Sequence, residues 1–197
     1  MIKQPLLSAV ALATFGIASV FGMGSAHAQA GTYSVDPTHT FVTWEAMHFG
    51  TSTSRGRFDK KEGTIQFDRA GKTGKIDITI ETGSISTGVP PFDRHLQSKD
   101  FFDSATHPTA RFVSDKLSFE GDKVTSASGT LTLLGKSLPV TLSASRFNCY
   151  QSPILKREVC GGDFETTLQR SQWGMGYGLP GIPDNVKLVI QVEAVRQ

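Results

Sequence analysis

Apolar residues recur at every second position through most of the chain, which is the repeat of a strand with one face buried and the other in solvent. Leu138, Val140, Leu142 and Ala144 alternate with Thr141, Ser143 and Ser145, and Ile76, Ile78 and Ile80 alternate with Lys75, Asp77, Thr79 and Glu81. Val186, Leu188, Ile190, Val192 and Ala194 repeat the pattern near the C-terminus. Further strands are expected over Thr32–Asp36, Thr40–Phe49, Ser54–Phe58, Gly63–Asp68, Ala110–Phe119, Lys123–Leu134 and Phe164–Arg170. The separators carry turn chemistry, as in Arg69-Ala70-Gly71-Lys72, Glu120-Gly121-Asp122 and Gly135-Lys136-Ser137. The fold class is therefore all-β. A domain with this many antiparallel strands hides its edges in a barrel or a sandwich, and the period is compatible with both.

Two stretches interrupt the rhythm. After Pro90-Pro91, Phe92 and Leu96 stand one helical turn apart within Phe92–Ser98, so a short helix is expected there. Asp100–Asp103 adds a further turn before Pro108 prevents continuation. The second stretch, Gln172–Pro183, contains Gly176-x-Gly178-x-x-Gly181 and formally matches a dinucleotide fingerprint. Pro180 and Pro183 deny it the following helix whose N-terminus would hold a pyrophosphate. The expectation is an aromatic loop folded over one end of the β structure, lining a ligand mouth or plugging the core.

The N-terminus is of a different kind. Lys3 is the only charged residue before an apolar run from Leu6 to Met23, and Ala26-His27-Ala28 supplies the small-x-small pattern of a signal-peptidase site. A membrane anchor is the alternative, since the run is near the lower limit of about 18 residues for a span. Gly16, Gly22, Gly24 and the lack of a basic flank weigh against it. Residues 1–28 are expected to be a cleaved secretory signal peptide, leaving one domain over 29–197. That domain's 19 basic and 18 acidic residues show none of the imbalance that nucleic acid or an anionic membrane selects.

Export changes the reading of the cysteines. Cys149 and Cys160 bracket Pro153 and Lys156-Arg157-Glu158, and an oxidising compartment pairs them. A redox-active pair would call for the closer Cys-x-x-Cys spacing. His39, His48, His95 and His107 show no paired ligand spacing, so no metal site is expected. No catalytic residues are assigned either. The chain lacks a Gly-x-Ser-x-Gly elbow, a His-Glu-x-x-His helix and a phosphate loop, and Arg94, His95, Asp100, Asp103 and His107 alone do not make an acid–base site.

The chain also resembles a family. Asp36-Pro37-Thr38-His39-Thr40, Met47-His48-Phe49, Gly56-Arg57-Phe58 and Phe92-Asp93-Arg94-His95-Leu96-Gln97-Ser98-Lys99-Asp100-Phe101-Phe102-Asp103, with Pro108 and Phe112, are similar to the YceI-like family of bacterial polyisoprenoid-binding periplasmic proteins. The likeness continues through Gly129–Lys136 and ends on Arg170-Ser171-Gln172-Trp173-Gly174-Met175, where Trp173 replaces an expected smaller aromatic. The resemblance implies an extended lipocalin-like antiparallel β-barrel of about eight strands, with the helical insertion near residues 92–103. It implies a periplasmic carrier, storage or stress-protection protein, a monomer or homodimer with at most transient membrane contact. The ligand would be a non-covalent isoprenoid lipid, a polyprenyl phosphate or a ubiquinone-type quinone, and no cofactor is expected. An isoprenoid- or quinone-dependent enzyme or redox accessory protein is the alternative.

Under that resemblance the lumen candidates are Phe41, Trp44, Met47, Phe112, Phe119, Trp173 and Met175. Phe41 and Trp44 differ by an odd number, so without a bulge only one of them faces inward. Arg94, His95 and Arg170 are the candidate head-group donors, because cationic nitrogens suit phosphate and carbonyl oxygens. Arg94 and His95 could equally tie the helix to the barrel through Asp100 or Asp103.

Overall fold

The period-two segments form β1 (Gly31–Val35), β2 (Phe41–His48), β3 (Ser52–Phe58), β4 (Lys61–Asp68), β5 (Thr73–Glu81), β6 (Ile85–Ser86), β7 (Thr109–Glu120), β8 (Lys123–Leu133), β9 (Lys136–Gln151), β10 (Glu158–Gln169) and β11 (Asn185–Arg196). A computed structural model describes Met1 and residues 30–197, so the expected signal peptide lies outside the described residues. Hydrogen bonding runs in the order β1-β4-β5-β7-β8-β9-β10-β11, and β11 returns to β1, closing an eight-stranded antiparallel barrel. Closure removes the sheet edges, which is what decides between the two architectures the period allowed.

The remaining strands extend the same wall. The first part of β11 pairs with β2, from Lys187 opposite Glu45 to Gln191 opposite Phe41, while its last part pairs with β1. β3 leads into β4 across Asp59-Lys60, and β5 leads into β6 across a turn at Thr82–Ser84. Three long strands are thus each bent once. At the bends, backbone groups find partners across the wall. Asp59 N–H donates to Ser84 O at 3.0 Å, Glu81 N–H to Lys60 O at 3.1 Å, and Asp36 N–H to Glu193 O at 2.9 Å. Thr40 Oγ1 donates to Glu193 O and accepts from Glu193 N–H, both at 3.1 Å. The ladder breaks without leaving buried backbone groups unpaired at these positions.

β10 begins six residues before the expected Phe164, at Glu158. The cause is Gly161-Gly162, which reads as a loop but serves a close approach. A Cβ at Gly161 would collide with Val192 O, and one at Gly162 with Arg146 O. The register then slips, Asp163 facing Arg146 but Phe164 facing Ala144, a bulge that leaves Ser145 extra on β9. Cys149 and Cys160 are directly opposed in this hairpin, with Cα atoms 4.1 Å apart, and form the disulfide.

Helix α1 spans Pro90–Leu96, starting earlier than Phe92 because both prolines occupy its first turn, where no backbone N–H is needed. Asp93 accepts hydrogen bonds from Thr87 N–H at 2.7 Å and Thr87 Oγ1 at 2.6 Å, tying the helix to the end of β6. Asp100–Asp103 is a set of non-helical turns that drives Phe101 and Phe102 toward the barrel. No helix among the described residues is long and apolar enough to cross a membrane.

Candidate functional site

The inward residues of the eight strands do not fill the barrel completely. They leave two cavities, one of about 150 Å³ and one of about 130 Å³, both walled almost wholly by aliphatic and aromatic side chains. The distal lobe is lined by Ile65, Ile76, Ile78, Phe112, Leu117, Leu142, Phe164, Ile190 and Val192, among others. The mouth lobe lies under α1 and is lined by Trp44, Phe58, Leu96, Phe101, Phe102, Trp173, Met175 and Ile182. Val42, Ile80, Leu131 and Leu188 border both lobes, so the two meet at a waist in the middle of the barrel.

Each end is closed differently. At the distal end Glu158 accepts from Tyr33 Oη at 2.7 Å and from Arg69 Nη2 at 2.6 Å, and Arg196 Nη1 lies 3.5 Å away. Burial first, then the bond and charge of Glu158, push the Tyr33 phenol up to about 12. Phe67 stacks on Phe119 beneath this network, with ring centroids 6.1 Å apart. At the mouth, His95, Phe101 and Tyr177 meet edge-on or tilted at 5.1 to 5.4 Å, joining the helical insertion to the glycine-rich loop.

Of the sequence candidates, Trp44, Trp173 and Met175 line the mouth lobe and Phe112 the distal lobe. Phe41 and Met47 do not line either. Val42, Trp44 and Ala46 take the inward face of β2, so the odd-numbered residues are turned out. Phe41 instead carries Arg57 and Lys61 over its ring, at 5.3 and 4.8 Å, and Met47 is exposed. Phe119 belongs to the distal aromatic plug and not to a lobe wall.

The head-group candidates separate as well. Arg170 is buried and aims at backbone: it donates to Met175 O at 2.9 Å, Ile182 O at 2.8 Å and Pro183 O at 3.0 Å. Its fork thus holds the 174–183 loop over the mouth. His95 Nε2 is 3.2 Å from Asp100, and Arg94 is exposed on α1 with no ion pair among the described residues. That contact stays within the insertion, since Asp100 belongs to the turns after α1 and not to a barrel strand.

One charged wall residue lies outside the sequence candidates. Lys61 is buried on the inward face of β4, in phase with Gly63, Ile65 and Phe67. Its stem borders the distal lobe while the ammonium reaches Asp59 O at 3.4 Å and the Phe41 ring, and burial pushes its pKa down. The signal was its parity, which the strand expected from Gly63 left outside. Trp44 Nε1, also buried, has no acceptor among the described residues. Cys149, Glu158 and Cys160 lie close enough to one another to hold a metal, but both sulfurs are consumed by the disulfide.

Comparison with known proteins places this geometry in a family. The model of the YceI-like domain matches residues 33–194. A UPF0312 protein of Pectobacterium atrosepticum is 31% identical over 198 residues, covering 100% of both chains. The crystal structure of the Campylobacter jejuni YceI protein is 27% identical, with a TM-score of 0.69 over 77% of this chain and 90% of that one. A polyisoprenoid-binding domain from Saccharophagus degradans shares the fold at 16% identity, with a TM-score of 0.59 over 84% of this chain and 98% of that one.

Proposed function

This chain belongs to the YceI-like domain family, and from that premise we propose that its barrel holds the apolar tail of an isoprenoid lipid, a polyprenyl phosphate or a ubiquinone-type quinone. The observation that carries the reading is the pair of adjacent lobes that share Val42, Ile80, Leu131 and Leu188 as wall residues, an almost wholly apolar interior between the mouth and the distal plug. Such a wall suits a long, branched hydrocarbon. Each methylene-sized group moved from water onto it contributes about 0.8 kcal/mol before ordering costs, so a chain of several prenyl units is retained without a covalent bond. The likeness in fold to a polyisoprenoid-binding domain supports the same ligand class.

The protein acts in this reading as a binding protein and not as an enzyme, since the His95–Asp100 pair lies off both lobe walls. Its place is the periplasm, where an isoprenoid tail needs shielding from water and where the Cys149–Cys160 bond persists. It serves there as a carrier, storage or stress-protection protein.

Both tryptophans of the chain line the mouth lobe, which makes the lumen its own reporter. Titration with farnesol is expected to shift and quench the emission of Trp44 and Trp173 saturably, and native mass spectrometry of protein purified from its host is expected to show a co-purified lipid. A silent titration together with lipid-free protein sinks the reading.

A further inference from the structure

The tip of the β9–β10 hairpin contains the most exposed large apolar side chain among the described residues other than Met1. Ile154 is 87% exposed and its neighbour Leu155 49%, so the fold gains little from burying Ile154. The loop that presents them is tightly built. Ser152 N–H donates to Arg157 O at 2.9 Å, Lys156 N–H to Ser152 O at 3.0 Å, and Leu155 N–H to Ser152 Oγ at 3.1 Å. The Cys149–Cys160 bond clamps the two strands just behind it.

The charge of the tip has one sign. Lys156 and Arg157 follow the apolar pair and take part in no ion pair among the described residues, while the adjoining Glu158 is engaged by Arg69 and Arg196. Two aliphatic side chains on a protruding turn, with two unpaired cations beside them, match an anionic bilayer interface, where the first pair enters the acyl boundary and the second meets head groups. A convex tip of this kind also suits a deformable lipid surface better than a preformed protein groove.

We propose that residues Pro153–Arg157 dock the barrel on an anionic lipid surface, with the disulfide keeping the turn rigid as it inserts. The choice of lipid over a protein partner rests on reading the barrel as a lipid binder.

The test is co-sedimentation with vesicles of phosphatidylcholine containing about one-third phosphatidylglycerol, against phosphatidylcholine alone. Wild-type protein is expected to bind the anionic vesicles and to be released by high salt. Ile154→Ser with Leu155→Ser, and separately Lys156→Gln with Arg157→Gln, should each weaken binding about tenfold. Neither pair lines the lumen, so the farnesol response of the tryptophans should be unchanged. Phe49→Ser with Leu179→Ser, exposed residues at the mouth, should leave vesicle binding as it is. Wild-type protein that ignores vesicles yet binds farnesol overturns the docking proposal alone, as does binding lost through Phe49 and Leu179 instead. Crosslinking from residue 154 to a protein, with no vesicle binding, overturns the lipid assignment. Vesicle binding without any farnesol response leaves the tip as a docking element and removes the lumen reading.

Discussion

The indole of Trp44 occupies the space that a side chain on its cross-strand partner Gly56 would need: a Cβ there would stand 2.6 Å from Cζ2 of the ring. Glycine at 56 is thus a packing requirement of the mouth lobe. Gly56→Ala is expected to displace the ring, lower stability by about 1–3 kcal/mol through overpacking, and weaken the farnesol-induced fluorescence change. Thermal denaturation and the titration check the two effects separately.

Arg170 offers a second prediction. An ammonium on a flexible stem cannot span the three carbonyls that its planar fork holds together. Arg170→Lys is expected to cost about 1.5–3 kcal/mol, the range for hydrogen bonds to a charged group. Limited proteolysis should then show faster cleavage within 174–183. An unchanged digestion pattern would contradict the role of Arg170 in holding the 174–183 loop.

At the distal end the pH dependence has a definite sign. Tyr33 has its pKa raised from 10.0 to about 12, so the folded state keeps a proton that the unfolded chain gives up. Its contribution is complete below pH 10 and declines as the pH rises toward 12. Alkaline denaturation should therefore be steeper for the wild-type protein than for Tyr33→Phe in that window. Equal slopes would show that the Tyr33 phenol titrates alike in the folded and unfolded chain, against its burial beside Glu158.

The disulfide is expected to act on stability without reaching the mouth lobe. Replacing both Cys149 and Cys160 by Ser should lower stability by about 3 kcal/mol in the chain-entropy model. Cys160 borders only the distal lobe, so the tryptophan response to farnesol should persist. Chemical denaturation with and without reductant checks the first effect on the unaltered protein.

Much of the wall was readable from alternation alone, because the residues that line it, such as Ile76, Ile78, Leu188 and Ile190, carry the period in their own chemistry. Closure into a barrel came from the family resemblance, since a period says which face is buried and nothing of what covers it. Parity with Trp44 leaves one of Phe41 and Trp44 inward without saying which, and the structure turns Phe41 and Met47 to the other face of β2. Gly161-Gly162 hid the start of β10, as their close backbone contacts depend on strands far away in sequence. Arg170 carries the right charge for a head group, but its three acceptors are main-chain oxygens of the loop, which no side-chain pattern can announce.

The waist formed by Val42, Ile80, Leu131 and Leu188 has a genetic consequence. Substitutions confined to opposite ends, Ile65 and Met175 for example, share no wall and should combine additively. A change at Leu131 alters both compartments at once, so its effect depends on what else has changed at either end. Diversification of such a barrel is therefore modular toward its two ends, and epistasis rises toward the centre, where Phe112 and Val140 of the distal wall also pack in one cluster with Trp173 and Met175.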